Sequence, residues 1–202
     1  MGKNRFMMKL GKILIVGWVL FCMVSLAADP APLTMLKSTS QQMLRELDKN
    51  LGRLNDKLVY NLVNRILVPH FDLVNMSRAV VGRYWQQASG STQRRFTREF
   101  TRYVIRTYAV ALQAYDGETV KFLPIRGAIG NRVQVNSELL LKSRSPIRIQ
   151  YRLLQKQGRW LIYDFSVDGI SVVKNYNSQF ASTLRRGGLV ALVQRLQKSN
   201  ER

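Results

Sequence analysis

The spacing of the apolar residues in this chain changes near residue 117, and the change determines which class of fold is open to it. Before that point, residues 89–115 repeat apolar side chains every three or four positions, which predicts one long helix with a single apolar face. At 1.5 Å per residue, this helix would be about 36 Å long. After that point, apolar and polar residues alternate, which predicts strands with two different faces. The predicted apolar face of the helix carries Phe96, Phe100, Val104, Tyr108, Ala111, Leu112 and Tyr115.

Shorter elements on either side complete an α+β pattern. Two helices are predicted at residues 33–47 and 54–67, and a third follows the N-cap residue Asp72 and ends at Gly82. The predicted strands and closing helices are 120–124, 132–141, 147–154 and 160–167, then 179–186 and 189–198. We therefore expect N-terminal helices and one long helix packed on a curved antiparallel sheet of about four strands, closed by C-terminal helices. Such a cone-like arrangement can enclose an apolar cavity.

The first 27 residues have the composition of a secretory signal peptide. Basic residues precede an apolar run from Ile13 to Leu26, and Ser25-Leu26-Ala27 supplies a small-x-small cleavage site. A single membrane anchor is the alternative, but the run of about 14 residues is shorter than the roughly 20 that span a bilayer. A lipoprotein signal is disfavoured because bulky Phe21 precedes Cys22. Residues 28–202 would then form one domain that works outside the cytoplasm.

The chain is strongly basic, with 32 Lys and Arg against 12 Asp and Glu and a formal net charge of +20. Such a charge often indicates nucleic-acid binding, but export from the cytoplasm argues against a nucleic-acid partner. The polyanions left outside the cytoplasm are anionic lipid headgroups and the phosphate-rich envelope surface. The alternative is that the excess of basic residues only keeps the protein soluble.

The residues that carry most enzyme chemistry are scarce. Cleavage would remove Cys22, the one cysteine, and His70 is the one histidine, so neither a structural zinc site nor a Cys-His pair is expected. A Ser-His-Asp triad would need His70, which lies at a helix boundary. Asp164 and Asp168 allow two interpretations. One of them could be the general base of a cone-fold isomerase, or Asp164 caps a helix or pairs with an arginine while Asp168 begins a turn. No metal or cofactor is predicted.

Several segments, in this order and spacing, resemble the MlaC family, the periplasmic phospholipid-binding proteins of the Mla system that are also called toluene-tolerance proteins. The resemblance covers roughly residues 33–198. One departure is that Ser89-Gly90-Ser91 opens the long helix, where the family usually has Thr-Pro. The segments that carry the resemblance are 67–72 (Leu-Val-Pro-His-Phe-Asp), 76–85 (Met-Ser-Arg-Ala-Val-Val-Gly-Arg-Tyr-Trp), 94–96 (Arg-Arg-Phe), 112–115 (Leu-Gln-Ala-Tyr), 158–164 (Gly-Arg-Trp-Leu-Ile-Tyr-Asp) and 167–173 (Val-Asp-Gly-Ile-Ser-Val-Val).

The resemblance implies a monomeric carrier without catalytic activity. It would shuttle a diacyl phospholipid between an outer-membrane lipoprotein-porin complex and an inner-membrane complex of an MCE-domain protein and an ABC transporter. Acyl chains would lie in the cavity and the headgroup outside. Two other classes remain open, namely the isomerase that would use Asp164 or Asp168, and a structural envelope protein with a filled core. The lipid-binding residues expected from the resemblance and the apolar pattern are Met76, Val80, Tyr84, Phe100, Val104, Tyr108, Val133, Val135, Ile149, Tyr151, Ile162 and Phe165.

Overall fold

A computed structural model of the chain describes residues 29–142 and 144–201. The predicted signal peptide, residues 1–27, and Cys22 within it lie outside these ranges. No helix in the described part of the chain combines the length and the apolarity needed to cross a membrane.

Five α-helices form in the described part of the chain, and side-chain caps fix where four of them begin. The Asp72 carboxylate accepts the backbone N–H of Asn75 and caps the third helix, as predicted. The Ser89 hydroxyl accepts the N–H of Thr92 in the same way and caps the long helix. The helices are α1 Ala31–Lys49, α2 Asp56–Leu62, α3 Leu73–Val81, α4 Gly90–Gln113 and α5 Val172–Asn200. The predicted helix at 54–67 is not one α-helix. The α-helical hydrogen bonding ends at Leu62, and the chain continues as the π-helical segment Val63–Leu67 and the 3-10 turn Val68–His70.

The strands form one antiparallel meander in the order β1-β2-β3-β4-β5, which confirms the predicted α+β class. Four strands match the prediction, and the fifth is a short edge strand that the sequence pattern did not indicate. It follows a tight turn in which Asp168 and Gly169 have positive φ angles of 45° and 84°. The strands are β1 Thr119–Phe122, β2 Arg132–Leu140, β3 Ile147–Lys156, β4 Arg159–Val167 and β5 Ile170–Ser171.

A β-bulge interrupts the pairing of β3 with β4. Leu153 lies opposite Ile162, whereas Tyr151, two residues earlier on the same face, lies opposite Phe165. The extra residue in β4 therefore brings Ile162 and Phe165 to one face of the sheet, although three positions separate them in sequence.

The last helix bends at two glycines. Gly187 and Gly188 have non-helical angles, with Gly188 at φ 63° and ψ −161°, a region that is essentially restricted to glycine. The predicted break between two closing helices is therefore confirmed. The first of them begins at Val172, earlier than predicted, because the Ser171 hydroxyl accepts the N–H of Lys174 and caps the helix there.

The long helix α4 is covered on two sides. Its Ile105 and Ala109 pack with α1 and α2, while Phe96 and Phe100 pack with α5. The predicted apolar face is correct at Phe100, which is buried, and wrong at Ala111, which is exposed. The reason is that the buried face shifts to Ile105 and Ala109 in the second half of the helix, which leaves Val104 and Tyr108 only half-buried.

Candidate functional site

One face of the sheet, which we call the inner face, carries Val135, Tyr151 and Ile149 and is largely apolar. Its side chains become more exposed from one end of the face to the other. Val135 pairs with Tyr151 across β2 and β3, and Ser137 pairs with Ile149 one step further along the same face. At the closed end, Val135 is 1% exposed and packs with Leu33 and Leu36 of α1. At the other end, Ile149 is half-buried. The face therefore grades from a packed core into a more accessible surface.

Phe165 connects this face with the helices. Its side chain packs against the sheet cluster around Val135 and also against the helix cluster around Phe100. The Tyr108 ring of α4 lies edge-on to Phe165, with centroids 5.7 Å apart, and the Phe71 ring does so at 6.0 Å. We call the region between the inner face of the sheet and α4, with Phe165 at its centre, the interior.

The structure brings together all the predicted lipid-binding residues except two. Met76 is buried on α3 and Ile149 is half-buried on β3, and neither belongs to the two apolar clusters. The sheet group consists of Val133, Val135, Tyr151, Ile162 and Phe165. The helix group consists of Val80, Tyr84, Phe100, Val104 and Tyr108.

Three residues of the interior were missed at the sequence level. Phe71 contacts Phe165, and Phe122 at the end of β1 stacks on Tyr151 with centroids 6.2 Å apart. Ser137 continues the alternation of Val133 and Val135 and is only 2% exposed. The period of two could have identified Ser137, but a hydroxyl is not a residue that an apolar pattern selects.

The tyrosines of the interior are neutral hydrogen-bond donors at physiological pH. Burial raises the pKa of Tyr108 and of Tyr151. For Tyr151, a smaller opposing effect on the pKa comes from the Ser137 hydroxyl nearby. Burial also raises the pKa of Tyr176 in α5 to about 12. These phenols therefore keep their protons and add no negative charge to the interior.

The two aspartates that suggested an isomerase have structural partners. Asp164 accepts the Ser171 hydroxyl at 2.7 Å and the backbone N–H of Val173 at 3.2 Å, and the Arg152 guanidinium lies 3.7 Å away. Asp168 accepts the backbone N–H of Arg148 at 3.0 Å in the turn before β5. These contacts confirm the interpretation of Asp164 as a cap and arginine partner and of Asp168 as a turn residue.

His70 is half-buried in the 3-10 turn before β-bridge residue Phe71. Burial lowers its pKa, and the nearby positive charge of Arg159 lowers it further. Among the described residues, its side chain makes no hydrogen bond that would build a triad. Over the same ranges, no cluster of His, Cys, Asp and Glu is suited to a metal ion.

A separate groove of about 680 Å³ lies outside the interior, between α4 and the segment from α2 to α3. Its floor includes Leu73 and Trp85, and Arg94, Arg98 and Arg102 line it at intervals of one helical turn. Arg98 and Arg102 also contact the buried Glu99 at 3.0 and 3.6 Å. We call this region the arginine groove. The groove therefore combines apolar side chains with a row of arginines.

Comparison with known proteins agrees with this architecture. The family described as MlaC protein matches residues 37–198. The toluene tolerance protein ttg2D of Pseudomonas putida is 26% identical over 178 residues, which cover 87% of this chain and 82% of that protein. The intermembrane phospholipid transport system binding protein MlaC of Haemophilus influenzae is 20% identical over 191 residues, with 85% and 83% covered.

A solved structure is similar to this fold. It is that of a phospholipid-binding protein from Ralstonia solanacearum in complex with a phospholipid, with a TM-score of 0.77 and 30% sequence identity. The similarity covers 83% of this chain and 96% of that one.

Proposed function

Because the chain belongs to the MlaC family, we propose that it is a periplasmic phospholipid carrier that holds acyl chains in the interior between the sheet and α4. The similar protein from Ralstonia solanacearum is a phospholipid-binding protein in complex with a phospholipid. Its similarity extends over 96% of that chain, which supports phospholipid as the ligand of this protein.

One observation carries the assignment to the interior. Apolar side chains of the sheet and of α4 meet around Phe165, where Val104 and Tyr108 on α4 are only half-buried, as is Ile149 further along the sheet. A flexible acyl chain needs an apolar region of this kind that it can enter from one end. On entry, the edge contact between Tyr108 and Phe165 would open to admit the chain.

Burial of the acyl chains would supply the affinity. Each methylene removed from water contributes about 0.8 kcal/mol, so two long chains contribute on the order of 20 kcal/mol before the costs of binding. Contacts to the headgroup are then unnecessary for tight binding. We therefore expect weak headgroup selectivity, with the headgroup outside the interior.

We further propose that the protein works as a monomer that moves phospholipid between the two membranes of the envelope. The Haemophilus influenzae relative is named an intermembrane phospholipid transport system binding protein. The expected docking partners are an outer-membrane lipoprotein-porin complex and an inner-membrane MCE-domain and ABC-transporter complex. The arginine groove and the nearby Arg78 and Arg83 provide a basic surface for docking.

The decisive experiment is lipid analysis of the protein produced with its full N-terminal segment in a Gram-negative host. The protein would be purified from the periplasm without detergent, extracted with organic solvent and examined by mass spectrometry. We expect diacyl phospholipid to co-purify with the protein. We also expect the purified protein to begin at Ala28, because the signal peptide would be cleaved after Ala27. A stably folded protein that carries no lipid and takes none from vesicles would contradict the proposed function.

A further inference from the structure

Ser137 is a buried hydroxyl that lacks a well-formed hydrogen bond. Its side chain is 2% exposed, and among the described residues its Oγ atom completes no hydrogen bond, although it lies close enough to the Tyr151 hydroxyl to lower the pKa of that phenol. It lies on the inner face of β2, two residues after the packed Val135, with Phe122 opposite it on β1 and Ile149 on β3. A buried polar group left unsatisfied is unfavourable and rare in folded proteins. The observation points to a hydrogen-bond acceptor that a bound ligand supplies.

A second hydroxyl lies beside the first. Tyr151 pairs with Val135, so it is the diagonal neighbour of Ser137 on the same face, within reach of its long side chain. The Tyr151 ring stacks on Phe122, which fixes its direction. Burial raises the pKa of Tyr151, so its hydroxyl stays protonated and can donate. The interior therefore contains a pair of donors on an otherwise apolar wall.

The pair lies where the closed part of the interior meets the accessible part. On one side, Val135 and Leu153 are fully buried, and on the other, Ile147 and Leu139 face each other half-buried. A phospholipid with its chains inside and its headgroup outside places its ester linkages at such a boundary. Ester carbonyl oxygens accept hydrogen bonds and have no hydrogen of their own, so they complement two hydroxyl donors.

We propose that Ser137 and Tyr151 form an ester-recognition site that donates hydrogen bonds to the acyl ester carbonyls of the bound lipid. This inference rests on the proposed function and adds a chemical selectivity to it. The site distinguishes ester-linked from ether-linked phospholipids, and it fixes the depth to which the chains enter.

The test compares two lipids that differ in the carbonyls alone. Delipidated protein would be titrated with a diacyl ester phospholipid and with the dialkyl ether lipid of the same chain length and headgroup. One or two hydrogen bonds predict that the ester lipid binds about threefold to tenfold more tightly. Ser137→Ala and Tyr151→Phe should each reduce this ratio, and the double variant should bring it close to one.

The matched control is Ser77→Ala, which removes another buried hydroxyl without a partner among the described residues, on α3 outside the inner face. It should leave the ester-to-ether ratio as in the unchanged protein. Equal binding of the two lipids by the unchanged protein, or a ratio that survives the double variant, would overturn the ester-recognition site while the carrier function stands. Binding of neither lipid would overturn both.

Discussion

The side-chain amide of Asn200, at the end of α5, donates to the backbone carbonyl of Glu99 at 3.0 Å and to its carboxylate at 3.1 Å. Glu99 lies in α4 and is only 3% exposed, and Arg98 and Arg102 flank its carboxylate. The Arg106 guanidinium in turn donates to the backbone carbonyl of Asn200. The end of the last helix is therefore fixed to the central helix around one buried charge.

Replacement of Asn200 should destabilise the fold. Asn200→Ala leaves the buried Glu99 carboxylate short of a donor, which costs about 1–3 kcal/mol in the free energy of unfolding. Asn200→Asp should cost more, because it brings a second negative charge to the same place. Urea denaturation measures both. The exposed neighbour Ser199 is the control, and Ser199→Ala should stay within about 0.5 kcal/mol of the unchanged protein.

Tryptophan at two positions of the inner face should have different effects. Ile149→Trp adds bulk where the face is half-buried, so it should block lipid binding with little change in melting temperature. Val135→Trp adds the same bulk to a packed cluster and should cost roughly 1–3 kcal/mol in stability. Arg148→Trp, on the outer face, is the control and should do neither. Normal lipid occupancy in Ile149→Trp would mean that the acyl chains do not lie beside Ile149 on the inner face.

The basic surface should affect transfer of lipid and not its retention. Attraction between exposed charges is screened beyond about 8–10 Å at physiological salt, whereas acyl-chain burial is not. Transfer to acceptor membranes or partners should therefore slow as salt rises while bound lipid stays bound. Arg78→Glu with Arg94→Glu should copy this effect, and these two positions leave the Glu99 contacts intact.

The control for charge is a variant with the same reversal away from the arginine groove, Lys121→Glu in β1 with Arg126→Glu in the loop after it, both exposed. It should transfer lipid at a rate closer to that of the unchanged protein. Loss of bound lipid at high salt, or transfer rates that do not respond to salt, would argue against docking guided by charge.

The bend in α5 should require glycine at residue 188. With φ at 63° and ψ at −161°, an alanine there is strained, and the cost is of order 1–3 kcal/mol. Gly130→Ala is a suitable control, because an added Cβ meets nothing within 4 Å and its φ angle is not in the positive range. Thermal or urea unfolding should separate the two variants clearly. Equal stabilities would mean that α5 can straighten at no cost.

His70 should make the fold less stable in mild acid. Burial, and to a lesser degree Arg159, lowers its pKa below the usual 6.5. As the pH falls through 6.5, the unfolded chain takes up the proton before the folded one, so stability is lost until the folded pKa is passed. The variant His70→Gln should therefore show a flatter melting temperature between pH 7 and 5. Parallel curves for the two proteins would exclude His70 as the cause.

The periodicity of apolar residues predicted most of the fold, because in an amphipathic helix or strand the apolar residues lie on the buried face. The four longer strands and α4 followed from the spacing of apolar residues, and the break in α5 followed from the glycine pair Gly187-Gly188. It was harder to predict which side of a strand faces the interior. Nothing in the sequence of β4 marks the extra residue that turns Ile162 and Phe165 to the same side, since apolar residues occur on both faces of that strand.

The apolar residues of the candidate site could be predicted from the sequence, whereas the contacts of its buried polar residues could not. Burial of Glu99 depends on Asn200, about a hundred positions away in the sequence, and no local pattern reports such a contact. Ser137 occupies an inward position that alternation assigns correctly, but its significance comes from the missing partner. That information exists only once β1 and β3 are seen beside it.

The bulge in β4 has a consequence for which insertions and deletions this chain can tolerate. Removal of one residue between Ile162 and Asp164 would remove the bulge and still leave Asp164 opposite Arg152 and Phe165 opposite Tyr151. Addition of one residue between Asp164 and Phe165 would instead exchange the two sides of the strand beyond it, and Phe165 would leave the interior. The strand should therefore tolerate the loss of its bulge residue better than the gain of another residue. The loop between β1 and β2, exposed at residues 126–131, carries no such requirement.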